Sequence, residues 1–278
     1  MRKLAFAPPP KLPLDSSEAE TTPEGSNKKI TKPPSLAFLH EDLIEGEDYT
    51  TFTINVDDCL FLQKIHGAHI RAATNPSGIC LIFSHGNAAD VRTSLPSLYA
   101  LSEELQVDLV IYDYPGYGFS TGQPSEQGTY RSIREVYDYL ITEYSGNHLV
   151  LYGQSIGSGP SVDLACDPTR PVGGLILHCP IASGLRVILT EMEGSAPWFD
   201  IYRNLEKVAS VKCPVFVLHG TGDTIVPFEH GKKIFDAVKD AGVAHPPWWP
   251  KGADHGDLEV KFRSEYIKRL KAFLATLI

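Results

Sequence analysis

The chain has 278 residues, 42% hydrophobic and 21% charged, which is enough to bury one sizeable core without staples. Its net charge of −9 argues against a nucleic-acid partner, which favours a basic face. No apolar run approaches the 18 residues of a membrane span, and no charged-then-apolar leader opens the chain.

Residues 1–48 read as a flexible tail and 49–278 as one folded domain. Seven of the 21 prolines fall within the first 34 positions, among charges of both signs, so the tail has too little apolar surface to order itself. Leu4, Ala5 and Phe6 are expected to pin its start to the domain. Tyr49–Val56 and Cys59–Ile65 read as strands, with a turn at Gly67 and a third strand at Ala68–Ala72. Then the chain alternates. Ile79–Ser84 is a strand, and Leu95, Leu98, Leu101 and Leu105 mark a helix. Leu109–Tyr112 is a strand, and Tyr130, Ile133, Tyr137, Leu140 and Tyr144 share one helical face. His148–Tyr152, Leu175–Cys179 and Pro214–Leu218 follow as strands. A helix is predicted through Val162–Cys166, another through Phe228, Phe235 and Val238, and a last one through Leu270, Phe273, Leu274 and Leu277. Another late strand is expected near Trp248-Trp249. This alternation predicts an α/β fold, a mostly parallel sheet with helices on both faces.

Ligands of such sheets bind beyond the carboxyl ends of the strands. A serine needs a base to become a nucleophile, and G-x-S-x-G sets it on a sharp strand-to-helix turn. The pentapeptide occurs twice, as Gly153–Gly157 and Gly118–Gly122. Ser155 follows a strand and leads into a helix. Ser120 sits among Pro115, Gly116 and Pro124, a loop context. Ser155 is therefore the expected nucleophile. The acid should end a late strand and the histidine should follow it. Asp223 fits, with Asp200 as the alternative. His255, in the loop before the last helix, is the expected base. His230 reads as a solvated helix face beside Glu229 and Lys232, and His245 as part of a connection. The backbone N–H groups of Ile156 and Asn87 are the expected oxyanion donors, with Ala88 as the alternative to Asn87.

His66 and His69 flank the predicted turn without a ligand cluster. No H-e-x-x-H or C-x-x-C spacing occurs, so neither a metal nor a cofactor is implied. The five cysteines are scattered and read as reduced thiols in a cytosolic compartment.

These segments resemble the alpha/beta hydrolase domain-containing protein 17 family, relatives of the BEM46-like hydrolases. The matching residues include Ser84-His85-Gly86-Asn87-Ala88, Tyr112-Asp113-Tyr114, Tyr152-Gly153-Gln154-Ser155-Ile156-Gly157, Val162-Asp163-Leu164-Ala165, Ser183-Gly184-Leu185-Arg186-Val187 and His219-Gly220-Thr221. The resemblance implies an alpha/beta hydrolase fold. It also implies a serine enzyme that removes palmitoyl groups from S-acylated proteins, with Ser155, Asp223 and His255 on the triad positions. The chain departs from the family at Gly256, where Asn is usual, and in having Cys59 as its first cysteine instead of an N-terminal cluster.

The residues alone support acyl hydrolysis; the thioester and the palmitoyl chain come from the resemblance. A general carboxylesterase, a monoacylglycerol lipase and a non-catalytic binding protein are the alternatives. Only roughly 30 residues connect Pro180 to Val211, so a minimal lid is expected. Its Leu185, Ile188, Leu189, Met192, Trp198 and Phe199 are candidates for an acyl groove. Arg2 excludes N-myristoylation and no C-a-a-X motif ends the chain. The expected protein is cytoplasmic and soluble, at most weakly peripheral on membranes, with S-acylated proteins or small acyl esters as partners.

Overall fold

The computed structural model describes residues 6–10, 46, 48–58, 61–190 and 192–278. Its centre is a sheet of seven strands: β1 (Tyr49–Asp58), β2 (Phe61–Ile70), β3 (Cys80–Ser84), β4 (Asp108–Tyr112), β5 (Leu149–Gln154), β6 (Gly174–His178) and β7 (Val215–Leu218). Their order across the sheet is β1-β2-β4-β3-β5-β6-β7. The β1–β2 and β2–β4 pairs are antiparallel and all others parallel.

The short runs β3, β4, β6 and β7 are buried along their whole length, as strands covered on both faces must be. Alternate residues feed two cores. Leu81, Phe83, Leu109, Ile111, Val150 and Tyr152 pack with helices α1 (Val91–Leu105) and α7 (Arg263–Leu274). Cys80, Ile82, Val110, Tyr112, Leu149 and Leu151 pack with α2 (Glu126–Leu140), α3 (Ser158–Ala165) and α6 (Phe228–Asp240). Two short helices, α4 (Gly184–Ile188) and α5 (Asn204–Lys207), lie between β6 and β7. The stripes of α1 and α2 are those their apolar spacing predicts, whereas α6 buries His230, Gly231, Ile234 and Val238, with Phe228 and Phe235 only half-buried. Tyr144 is an exception. It lies beyond the end of α2, where its hydroxyl donates to Asp108 Oδ2 at 2.8 Å.

Three expectations for the strands are corrected. Gly67 makes no turn; it lies within β2, paired with Phe52. A Cβ there would come within 2.3 Å of the Phe52 ring and 2.7 Å of the Ile111 carbonyl oxygen, so the glycine serves close packing. His66 and His69 consequently do not flank a turn but are buried in β2. The late strand near Trp248 reduces to single bridges, Val215 to Ala244 and Leu218 to Trp248. The intervening Pro246 and Pro247, and Pro250 beyond them, have no N–H to extend a ladder.

At the chain's start, Phe6 is buried, its ring 6.1 Å from that of Tyr202. Ala7 donates its N–H to Asn87 Oδ1 at 2.8 Å. Leu4, Ala5 and residues 11–45 of the predicted tail lie outside the described residues.

The strand order also locates the site. From β3 the chain steps outward to β4, then returns to β5 on β3's other side and continues through β6 and β7. The crevice beyond the carboxyl ends of β3 and β5 lies where that order reverses, which is where open parallel sheets bind ligands.

Candidate active site

Ser155 follows β5 directly, in the left-handed conformation with φ +55°. That conformation costs a non-glycine residue about 1–3 kcal/mol, so its neighbours must enforce it. A 3₁₀ turn, Ser155–Gly157, leads into α3. At Gly157 a Cβ would stand 2.0 Å from the Ser84 carbonyl oxygen, and at Gly153 one would stand 2.6 Å from the Gly157 oxygen. Bare backbones are thus what let the turn sit against β3. Ser158 braces it: its hydroxyl donates to the Ser155 carbonyl at 2.6 Å and accepts from Ile181 N and Asn204 Nδ2.

Asp223 ends the loop after β7. Its Oδ2 accepts from His255 Nδ1 at 2.7 Å, and its Oδ1 accepts from the N–H groups of Ile225 and Val226. Burial alone would raise this carboxyl. The N–H groups of His219, His255 and Val226 that face it outweigh burial and hold the group well below the usual carboxylate range. A carboxylate only accepts, so His255 carries its proton on Nδ1. Nε2 is left with a lone pair, the tautomer a general base needs.

His219 is the contribution that sequence reasoning missed. Its Nε2 lies 3.1 Å from Asp223 Oδ2 and 2.9 Å from the Val226 carbonyl oxygen. Both partners accept, so Nε2 carries the proton, donates it to the Val226 carbonyl and turns its positive edge toward the Asp223 carboxylate. The His-x-x-x-Asp spacing of residues 219–223 was the available signal, but in a tight loop that spacing does not by itself imply contact. The two loops are clasped together. Thr224 donates its N–H to Asp254 Oδ1 at 2.8 Å, and Gly222 donates to the Ala253 carbonyl at 3.0 Å.

The other named acid, Asp200, lies in the wall of the cleft onto which Ser155 opens, where it serves as a cap. Its Oδ1 caps the N–H groups of Leu185 and Ile201, each at 2.8 Å. His230 is not a solvated residue as expected. It is buried, accepts from the Ala182 N–H through Nδ1 and donates to the Arg186 carbonyl through Nε2. Its exposed helix neighbours masked a position that faces the core.

Asn87 and Ile156 line one cleft with Ser155. Ser155 Cβ is the nearest neighbour a Cβ on Gly86 would meet, at 3.8 Å, so the loop after β3 lies against the Ser155 turn. The Asn87 side chain is fixed from two sides, its Oδ1 accepting from Ala7 N–H and from the Tyr117 hydroxyl. The cleft, about 270 Å³, is walled mainly by Ile181, Leu185, Ile188, Ile201, Ile225 and Val226. Met192, Trp198 and Phe199 are not among its lining residues, and Trp198 is 86% exposed.

Beneath the site, His178 Nδ1 meets the Tyr152 hydroxyl at 2.9 Å, and Tyr152 meets Tyr266 at 2.7 Å. Burial lowers the His178 pKa to about 3, so its imidazole is neutral. Burial also pushes the Cys179 thiol far up, leaving it protonated.

Comparison with known proteins agrees with this architecture. The alpha/beta hydrolase fold family profile matches residues 80–194, and that of the dienelactone hydrolase family matches 182–272. An esterase of Pyrococcus furiosus superposes with a TM-score of 0.69 at 16% identity, covering 98% of this chain and 97% of that one. An alpha-beta hydrolase of Vibrio vulnificus gives 0.67 at 17% identity over 96% and 97%. By sequence, alpha/beta hydrolase domain-containing protein 17B of Xenopus laevis is 37% identical over 98% of this chain and 90% of its own. An alpha/beta hydrolase domain-containing protein of Caenorhabditis elegans is 34% identical over 98% and 76%. The chain is an alpha/beta hydrolase and belongs to the alpha/beta hydrolase domain-containing protein 17 family.

Proposed function

We propose that this hydrolase cleaves acyl thioesters through a Ser155-His255-Asp223 triad, with S-acylated proteins as substrates. The observation that carries the triad is the 2.7 Å bond from His255 Nδ1 to a carboxylate that also binds His219 and two backbone N–H groups. That arrangement fixes the imidazole tautomer before substrate arrives.

In the reaction, Ser155 Oγ attacks the acyl carbonyl while His255 Nε2 takes its proton. The N–H groups of Ile156 and Asn87 receive the oxyanion. The tetrahedral intermediate expels the cysteine thiol of the substrate, which leaves with the proton from Nε2. Water then attacks the acyl-enzyme, giving its proton to His255, and the fatty acid departs as Ser155 is restored.

The apolar cleft supports an acyl rather than a polar substrate. Ile188 and Ile225 are about 60% exposed at its margin, so the apolar wall continues to the surface, where a chain can enter. Each methylene buried there contributes about 0.8 kcal/mol, so two more carbons should raise kcat/KM roughly 15-fold until the cleft is filled.

The test is hydrolysis of matched thioesters and oxygen esters, from acetyl to palmitoyl. The proposal expects a rising series and a preference for long-chain thioesters; a flat series, or one confined to short oxygen esters, would favour a general carboxylesterase. Trp198→Ala is expected to weaken long chains more than acetyl esters if the exposed ring guides the distal acyl chain. An equal loss on both would remove Trp198 from that role.

A further inference from the structure

The proposed reaction leaves one buried nucleophile beside the triad unused. Cys179 directly follows β6, with φ +45°, and is fully buried. Its thiol points at the His255 carbonyl oxygen, 4.0 Å away. The Cys179 sulfur, an Asp223 carboxylate oxygen and a His255 ring nitrogen all lie within 4.8 Å of one another. Among the described residues this is the one such group of potential metal ligands.

We propose that Cys179, Asp223 and His255 form an inhibitory zinc site, in which the ion holds the imidazole in a state that cannot act as a base. This rests on the reading of His255 as the proton acceptor. One sulfur, one nitrogen and one oxygen suit a borderline-soft tetrahedral ion; calcium and magnesium favour all-oxygen shells. Zinc bonds of about 2.0–2.3 Å place neighbouring tetrahedral ligands roughly 3.3–3.6 Å apart. The Asp223–His255 pair must open from 2.7 Å and the sulfur must close from at most 4.8 Å. Both are shifts that side-chain torsions supply. The His255 side chain is 21% exposed, which gives the ion an approach and leaves solvent to provide a fourth ligand.

The protons balance simply. The thiol proton leaves to solvent as the zinc–sulfur bond forms. Nδ1 gives its lone pair to zinc, and the neutral ring carries its one proton on Nε2 instead. An Nε2–H has no lone pair for the Ser155 proton, so attack stops although Ser155 itself is untouched. A thiol at this position therefore makes the triad sensitive to a metal that Asp223 and His255 alone would hold weakly.

The test uses the full chain freed of metal, with Zn²⁺ added alone and Mg²⁺ as the comparison. Rates of fluorophosphonate labelling and ester hydrolysis should fall with Zn²⁺, not with Mg²⁺, and recover with chelator. Cys179→Ser and Cys179→Ala should keep the metal-free rates yet need at least about tenfold more Zn²⁺, since even partners outside the ligand shell are worth 10–100-fold in affinity. Co²⁺ should give a thiolate charge-transfer absorption in the wild type that both variants lack. Equal zinc sensitivity of wild type and variants, an unaffected wild type, or Co²⁺ binding without the thiolate absorption would each overturn the proposal. A wild type inert to fluorophosphonate before any metal is added would instead refute the hydrolase reading, and the Co²⁺ absorption would still decide the site.

Discussion

Gly-x-Ser-x-Gly is written twice in this chain, and the two copies divide their strain in opposite ways. In Gly153–Gly157 the serine takes the left-handed conformation, while Gly157 is ordinary helical backbone at φ −61°. The glycines there serve by lacking a Cβ where β3 comes close. In Gly118–Gly122 both glycines are left-handed, at φ +45° and +93°, and the serine is not. Ser120 is wholly buried; its hydroxyl donates to the Asp113 carbonyl at 2.8 Å and accepts from the His66 N–H at 2.9 Å. One serine is held in tension at the mouth of an apolar cleft, and the other is a fastener between β2 and the loop after β4. The pentapeptide therefore says little by itself. What separates the copies is which residue carries the positive φ, and whether the hydroxyl is already spent on backbone partners.

Substitutions can break this contrast. The largest effect should come from Ser155→Ala, a loss of about a millionfold in kcat, the scale of other serine triads, with thermal stability nearly unchanged. Steady-state hydrolysis and a melting curve on the same preparation check both halves. Asp223→Asn should cost about 10⁴-fold, because an amide lets the imidazole adopt the wrong tautomer; a loss under tenfold would show that His255 does not depend on it.

Acid should strike the fold, starting with groups such as His66 beside the Ser120 fastener. Burial holds His66, His85 and His230 at about 4 and His178 at about 3, against about 6.5 in the unfolded chain. Below pH 6.5 the unfolded state binds more protons than the native one, so stability falls with pH down to about 4. Each histidine contributes about 1.4 kcal/mol per pH unit in that window. Urea midpoints measured between pH 7.5 and 5 should decline steeply, and a flat profile would mean these imidazoles are not neutral in the native state. The smallest effect belongs to Ser120→Ala. Catalysis should be nearly intact, and stability should drop by about 1–3 kcal/mol as the buried His66 N–H loses its acceptor, read from urea unfolding.

Much of the parallel sheet is legible in the sequence, because strands covered on both faces must be continuous apolar runs. Ile79–Ser84 and Leu109–Tyr112 could be placed nearly to the residue. The antiparallel edge was harder. Gly67 interrupts an apolar pattern for packing reasons, and a single chain does not reveal that Phe52 lies across from it. The strand-to-helix turn at Ser155 and the pairing of Asp223 with His255 could be anticipated from their order and flanking loops. His219 and Cys179, which touch that same acid and histidine, could not, since their contacts arise only when the ends of β6 and β7 meet. The cleft was partly readable: Leu185 and Ile188 line it, but so do Ile201, Ile225 and Val226, while the conspicuous Trp198 faces outward. Aromatic content alone does not distinguish a groove wall from an exposed rim. No helix among the described residues is long and apolar enough to cross a membrane.

The central claim is that Ser155 is the nucleophile. Fluorophosphonate labelling of the wild type, Ser155→Ala and Ser120→Ala, with the modified peptide mapped by mass spectrometry, tests it most directly. The account predicts a single adduct on Ser155, lost in Ser155→Ala and retained in Ser120→Ala. Labelling that survives Ser155→Ala, or that disappears with Ser120→Ala in a protein still folded, would contradict it.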